Sequence, residues 1–148
     1  MVAVPAEGPP RLLLWGVGTS RTMRAHWTLH ELALPYALQP ILPRTGETKT
    51  AEFTRLNPRQ KIPLLQDGDF TIAESPAIAA YLAEQYGGSG TGLIPSDRRE
   101  RAHWLEWCFH IISELDAHRL YVMRRPGDLK HIYGGAPVAL TSSDTMAS

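Results

Sequence analysis

The segment between residues 57 and 75 constrains the fold of this chain more than any other part of the sequence. It reads NPRQKIPLLQDGDFTIAES. Two prolines surround a turn that leads into an apolar run at 62–66, and a second apolar run at 70–73 follows the turn residues Asp67 and Gly68. These two runs predict a β-hairpin. The residues after Ser75 predict a helix over 76–86, with Ile78, Tyr81 and Leu82 on its buried side.

Strand and helix signals alternate before this hairpin. The apolar run 12–15 ends at Gly16 and Gly18, which is typical of a buried strand that meets a tight turn. A helix capped by Thr19 or Ser20 is predicted next, because apolar and aromatic residues recur at three- and four-residue steps: Met23, Trp27, His30 and Leu34. A strand over 36–42 and a short helix over 50–56 follow. The order βαβ and then ββα predicts an α/β, thioredoxin-like domain over residues 11–86.

A glycine-rich stretch over 87–92 predicts a flexible linker after this domain. Asp97 then precedes a long helical pattern that reaches about residue 120. Its apolar stripe consists of Leu105, Cys108, Ile112 and Leu115, with Trp104 beside it. We therefore predict a partial helical C-terminal domain over residues 98–148.

Composition excludes several classes of function. The 148 residues carry 15 basic and 15 acidic side chains, so no net charge draws the protein to nucleic acid or to an acidic membrane surface. Residues 1–10 lack the pattern of a signal peptide, and no stretch is long and apolar enough to span a bilayer. Cys108 is the single cysteine, so the chain has no internal disulfide. A cytoplasmic protein is expected.

The segment 57–75 resembles the glutathione-binding core of the glutathione S-transferase family, and the resemblance is to bacterial-like cytosolic members with a serine-type site. It implies a cis peptide bond before Pro63, which leaves the backbone of Ile62 to pair with an extended peptide. It implies that Glu74 accepts from the ammonium of glutathione and that Ser75 binds its carboxylate. Gln60 and Lys61 are expected to reach the glycine carboxylate of the same ligand.

The family resemblance also places the catalytic hydroxyl at the start of the first helix. Ser20 is the best candidate by its spacing from Arg24, and Thr19 is the alternative if the register is off by one. The hydroxyl donates to the sulfur of glutathione, and the helix dipole favours the negative thiolate. No cysteine occupies positions 19–21, so the resemblance does not extend to the thiol-exchange classes.

Other charged residues near this helix carry weaker expectations. Arg21 is a candidate to hold a substrate carboxylate or sulfur, whereas Arg24 is expected to be a structural or surface charge. His26 and His30 have a metal-compatible spacing, but a solvated helix face is the favoured interpretation because no third ligand is evident. No metal cofactor is expected.

The end of the chain departs from the family pattern, since such proteins normally continue for several more helices. Thr141 and Asp144 have the spacing of a helix capping box, which resembles the start of a later family helix. One hypothesis is that helices between about residues 138 and 141 are deleted, which leaves a truncated all-α second domain. The alternative is a chance resemblance of small, polar residues.

The resemblance implies a detoxification enzyme that uses glutathione as co-substrate and conjugates its thiolate to small electrophiles. Two alternatives stay open at this point. One is a non-catalytic binding or dimerisation module, favoured by the short second domain. The other is a glutathione-dependent isomerase or dehalogenase, which uses the same thiolate site. A homodimer is expected if the second domain is sufficiently intact.

Overall fold

The structure is a computed structural model that describes residues 11–88 and 92–120, with side chains as far as residue 117. It divides into two compact units between Ile94 and Pro95. No helix within the described ranges is long and apolar enough to cross a membrane.

The first unit contains a four-stranded mixed sheet with the predicted βαβ-ββα order. The strands lie in the order β2-β1-β3-β4, with β1 parallel to β2 and antiparallel to β3, and β3 antiparallel to β4. The elements are β1 (Leu12–Trp15), α1 (Ser20–Glu31), β2 (Tyr36–Gln39), a 3-10 turn (Glu47–Lys49), α2 (Ala51–Leu56), β3 (Leu64–Asp67), β4 (Phe70–Ala73) and α3 (Ser75–Tyr86).

Two apolar clusters form the core of the first unit. The larger joins the sheet to α1 and α3, and its buried members are Leu12, Leu14, Ala25, Leu29, Leu65, Ile78 and Leu82. The smaller joins the sheet to α2 through Trp15, Phe53 and Leu64. Removal of these side chains from water is the main force that holds the helices on the sheet.

The buried face of α1 does not include the large side chains whose recurrence predicted the helix. Thr22, Ala25 and Leu29 face the core, whereas Met23 and Trp27 are 54% and 60% exposed. The periodic pattern therefore predicted the helix but did not identify its buried face. Small residues at 22 and 25 allow α1 to approach the sheet closely.

The hairpin also differs in detail from its prediction. β3 begins at Leu64 and includes Asp67, so the connecting turn consists of Gly68 and Asp69. β2 ends at Gln39 because Pro40 follows, and proline cannot donate a hydrogen bond to a strand ladder. The predicted helix after the hairpin is confirmed, with Ile78 and Leu82 fully buried.

The described part of the second unit consists of helical turns. α4 (Arg98–His110) is capped by Asp97, whose carboxylate accepts from the amides of Arg99 and Glu100, and it continues as a π-helix (Ile111–Leu120). Of the expected stripe, Cys108 and Ile112 are half-buried, whereas Leu105 and Leu115 are exposed. The hypothesis of a deletion between residues 138 and 141 lies outside the described residues.

Candidate functional site

Three segments that carry the predicted site residues leave the sheet at the same end. The register pairs Trp15 with Leu64, and Leu64 with Ala73, across three neighbouring strands. Residues 16–20 follow the first of these positions, residues 62–63 precede the second, and residues 74–75 follow the third. Strand pairing therefore brings together three segments that are separate in the chain.

The first segment, between β1 and α1, touches the second directly. Gly16 has a φ of +110°, and a Cβ on it would lie 2.6 Å from Cβ of Ile62. A real side chain at position 16 would separate the two segments. Gly18 has a φ of +77° and lies against Leu42, so the turn before α1 requires glycine at both positions.

The start of α1 distinguishes the two candidate hydroxyls. Thr19 is the N-cap, and its Oγ1 accepts from the amide of Thr22 at 3.0 Å and donates to Oγ1 of Thr22 at 3.1 Å. Ser20 is the first helical residue, and its hydroxyl has no hydrogen-bond partner among the described residues. The Thr19 hydroxyl is therefore occupied by the helix cap, whereas the Ser20 hydroxyl is available to a ligand.

The second segment presents an unpaired length of backbone. The peptide bond between Ile62 and Pro63 is cis, as predicted. Within the described part of the chain, no group hydrogen-bonds to the amide or the carbonyl of Ile62. Buried Asn57 shapes this turn, because its amide donates to the carbonyl of Lys61 at 2.8 Å and its Oδ1 accepts from the amide of Arg59.

The two residues expected to reach the glycine carboxylate lie in this turn. Gln60 has a φ of +55°, and its side-chain amide donates to Oγ1 of Thr54 at 3.0 Å. An amide nitrogen carries two hydrogens, so one remains for a ligand. The Lys61 side chain is exposed, and no carboxylate of the described residues pairs with its ammonium.

The third segment ends β4 and begins α3. Glu74 has a φ of +73°, and its carboxylate lies 3.5 Å from the guanidinium of Arg59. Ser75 is 3% exposed, and its hydroxyl accepts from Arg24 at 3.2 Å. Arg24 donates to the oxygen of this hydroxyl, so the hydroxyl hydrogen is left to donate to an anionic ligand.

His26 is not on a solvated helix face, so the favoured interpretation of that residue was wrong. Its ring nitrogens lie 2.8 Å from the hydroxyl of Tyr36 and 3.2 Å from the carbonyl of Gly16. His30 is exposed, with its ring against the edge of Tyr36. No group of three or more potential ligands for a metal ion occurs in the described ranges.

The single cysteine of the chain lies in the second unit. Cys108 lies in α4, and burial raises the pKa of its thiol. A raised pKa disfavours the reactive thiolate.

Sequence reasoning did not predict the supporting contacts of Arg24, Asn57, Arg59 and His26. Each depends on a partner in another element or on the far side of a turn, such as Arg24 with Ser75. The spacing of Arg24 four residues after Ser20 places both on one face of α1, and this was the available signal for a shared site.

Comparisons with known proteins identify the family of this chain. Residues 10–84 match the family model for the glutathione S-transferase N-terminal domain. Glutathione S-transferase GstB of Escherichia coli is 35% identical over 116 residues, which cover 76% of this chain and 55% of that protein. Glutathione S-transferase F14 of Arabidopsis thaliana is 38% identical over 95 residues, covering 64% and 35% respectively.

A solved glutathione transferase structure is also similar to this chain. The glutathione transferase homolog from Drosophila mojavensis, determined with bound glutathione, has 32% identity and a TM-score of 0.72, with 78% of this chain and 53% of that chain covered. The chain belongs to the glutathione S-transferase family. It spans only about a third to just over a half of the length of the two curated relatives.

Proposed function

We propose that this chain binds glutathione at the end of the sheet where β1, β3 and β4 meet, and that it activates the thiol for attack on small electrophiles. The observation that carries the proposal is that three different groups of the protein lie at the same end of the sheet, where each could bind a ligand. They are the free hydroxyl of Ser20, the unpaired backbone of Ile62 and the Glu74–Ser75 pair at the start of α3. Each fits a different part of one extended tripeptide.

The peptide backbone of glutathione would pair with Ile62 as an additional strand. Main-chain hydrogen bonds of this kind hold an extended peptide at a sheet edge. Gln60 and Lys61 would then face the glycine end, because they immediately precede Ile62. Glu74 would accept from the ammonium at the other end, and its carboxylate has acceptor capacity for both the ammonium and the guanidinium of Arg59 at 3.5 Å.

The sulfur would lie near the start of α1. A free thiol has a pKa of about 8.5, and helix N-termini with suitable donors lower thiol pKa values to about 3.5–7.5. The first turn of α1 contains no acidic residue to oppose an anion. The Ser20 hydroxyl would donate to the thiolate while it keeps its own proton, and Thr19 would act only through the cap.

Calorimetric titration with glutathione and with its sulfur-free analogue, γ-glutamyl-α-aminobutyryl-glycine, tests the binding part. Both ligands should bind, since most of the proposed contacts are made to the peptide. A parallel assay of conjugation to 1-chloro-2,4-dinitrobenzene tests turnover. Binding with turnover supports the proposal. Binding without turnover supports either a non-catalytic binding module or an enzyme that acts on a different electrophile, and no binding contradicts the proposal.

The wider expectations remain predictions. They are conjugation as a detoxification activity, a cytoplasmic location and a homodimer. The isomerase or dehalogenase alternative uses the same thiolate, so it predicts the same ligand binding and differs only in the electrophile.

A further inference from the structure

His26 connects three elements that lie next to the proposed thiolate site. It lies on α1, six residues after Ser20, and its ring reaches back to the turn that precedes the helix. One ring nitrogen, Nε2, lies 3.2 Å from the carbonyl oxygen of Gly16. The other, Nδ1, lies 2.8 Å from the hydroxyl of Tyr36, the first residue of β2.

The chemistry of these partners fixes which nitrogen carries the hydrogen. A carbonyl oxygen can only accept, so Nε2 must donate to Gly16. In the neutral imidazole, Nδ1 then accepts from the Tyr36 hydroxyl. The tyrosine therefore holds both the tautomer and the orientation of the ring, as a hydrogen-bonded neighbour commonly does for histidine.

The turn at Gly16–Gly18 depends on hydrogen bonds for its position. Its two glycines adopt φ values of +110° and +77° and have no side chains to pack. On one side, the amides of Gly16 and Val17 donate to the carbonyls of Gln39 and Ile41. On the other side, the Gly16 carbonyl accepts from His26, and Gly16 itself is buried.

We infer that His26 is a positioning residue that fixes this turn through the Gly16 carbonyl and thereby sets where α1 presents the Ser20 hydroxyl. The turn is the only covalent connection between the end of β1 and Ser20. Loss of the His26 contact leaves the buried Gly16 carbonyl without its partner, which favours other conformations of a glycine-rich turn. The catalytic part of this inference rests on the proposed function.

The first test uses the ligand-free protein. Amide hydrogen exchange, measured by NMR, should be about tenfold faster at Gly16 and Val17 in His26→Ala than in the wild type, as expected for a lost buried hydrogen bond. His26→Gln retains a donor near Nε2 and should stay near the wild-type rates. His30→Ala is the matched control, because His30 also touches Tyr36 but has no contact with Gly16.

A merely structural role would accelerate exchange in the whole sheet, including at Leu14 in the middle of β1. The inference requires that His26→Ala accelerate exchange more at Gly16 and Val17 than at Leu14. It is contradicted if His26→Ala leaves these two amides unchanged, or if His30→Ala has the same effect. If His26→Ala does not fold, Tyr36→Phe removes the hydroxyl that orients the ring and should accelerate the same two amides.

The second test concerns the bound thiol. His26→Ala should raise the pKa of glutathione bound to the protein by at least half a unit, and His26→Gln should restore it. Suppose that His26→Ala accelerates exchange at Gly16 and Val17 but leaves the pKa of the bound thiol unchanged. That result would contradict the inference that the turn sets the position of the Ser20 hydroxyl. If the wild type binds no thiolate at all, the proposed function fails, and the exchange rates alone decide whether His26 holds the turn.

Discussion

Gly16 and Ile62 are packed so closely that a Cβ on Gly16 would lie 2.6 Å from the Cβ of Ile62. One residue belongs to the turn before α1, and the other belongs to the turn before β3. The contact places the proposed thiolate end of the site directly against the proposed peptide-binding backbone. Glycine at position 16 is thus a requirement of the site as well as of the turn.

Replacement of Gly16 by alanine should destabilise the fold more than an equivalent change elsewhere. Gly46 has a comparable φ of +93° but no atom within 4 Å of its would-be Cβ, so Gly46→Ala is a matched control. Backbone strain should cost each variant about 1–3 kcal/mol of unfolding free energy. The clash with Ile62 should cost Gly16→Ala about 1–3 kcal/mol more, measured by urea denaturation. Equal losses in the two variants would show that the close contact is not maintained in solution.

Glu74 and Ser75 should account for much of the affinity for glutathione. Glu74→Ala or Ser75→Ala should each weaken binding by about 1.5–3 kcal/mol, the range for hydrogen bonds to charged groups, or roughly 10- to 150-fold in Kd by calorimetry. Glu52→Ala on the exposed side of α2 is the control and should bind as the wild type does. If either site variant keeps its affinity, the ligand lies elsewhere.

Asp67 forms a buried network away from the proposed ligand. Its carboxylate accepts from Tyr81 at 2.6 Å and also from Tyr86 and Arg11. Burial raises the pKa of Asp67, but these hydrogen bonds and the Arg11 charge lower it by more, so its pKa lies below the ordinary value. Burial and the bond to Asp67 raise the pKa of Tyr81 to about 12.

Because of this network, the free energy of unfolding should depend on pH in the acidic range. Because the folded pKa of Asp67 is depressed, its contribution is fully present above the unfolded pKa of about 3.9 and is lost as the pH falls through the lower, folded value. At pH 7, Asp67→Asn should lower the unfolding free energy by about 1.5–3 kcal/mol. The difference in unfolding free energy between wild type and variant, here called the gap, should shrink below about pH 4.

Urea titrations between pH 2.5 and 7 measure this gap. The control is Asp69→Asn, since Asp69 is exposed in the adjacent turn and should show no comparable pH-dependent difference. A gap for Asp67→Asn that stays constant across this range would mean that folding does not lower the pKa of Asp67, and it would contradict the prediction.

The order of elements in the first unit was predictable because each carries its own local signal. Glycines and prolines mark the ends of β1 and β2, and Thr50 caps α2. The hairpin strand Phe70–Ala73 agrees with its prediction at both ends. The cis peptide bond before Pro63 was predictable for a further reason, since the resemblance covers the continuous run from residue 57 to residue 75.

The faces of the helices were less predictable, because hydrophobicity alone does not say which side meets the sheet. In α1, Trp27 is exposed and bonds to Glu31, while Ala25 is buried. Asp67 was expected in a turn, but three donors from distant positions allow it to be buried at the end of a strand. Such long-range partners have no signal in the local sequence.

The central claim is that Ser20 stabilises the thiolate of bound glutathione, whereas Thr19 acts only as the helix cap. Ser20→Ala should raise the pKa of the bound thiol by one or two units, or about 1.4–2.7 kcal/mol. Affinity should fall much less, because the other end of the ligand is held by Glu74 and Ser75. Thr19→Ala should cost about 1 kcal/mol of stability through the lost cap and leave the thiol pKa nearly unchanged.

Ultraviolet absorbance of the bound thiolate, measured against pH in the wild type and the two variants, tests this claim most directly. If Ser20 stabilises the thiolate, the titration curve should move to higher pH in Ser20→Ala and stay near the wild-type position in Thr19→Ala. A curve that moves in Thr19→Ala but not in Ser20→Ala, or that moves in neither variant, would contradict it.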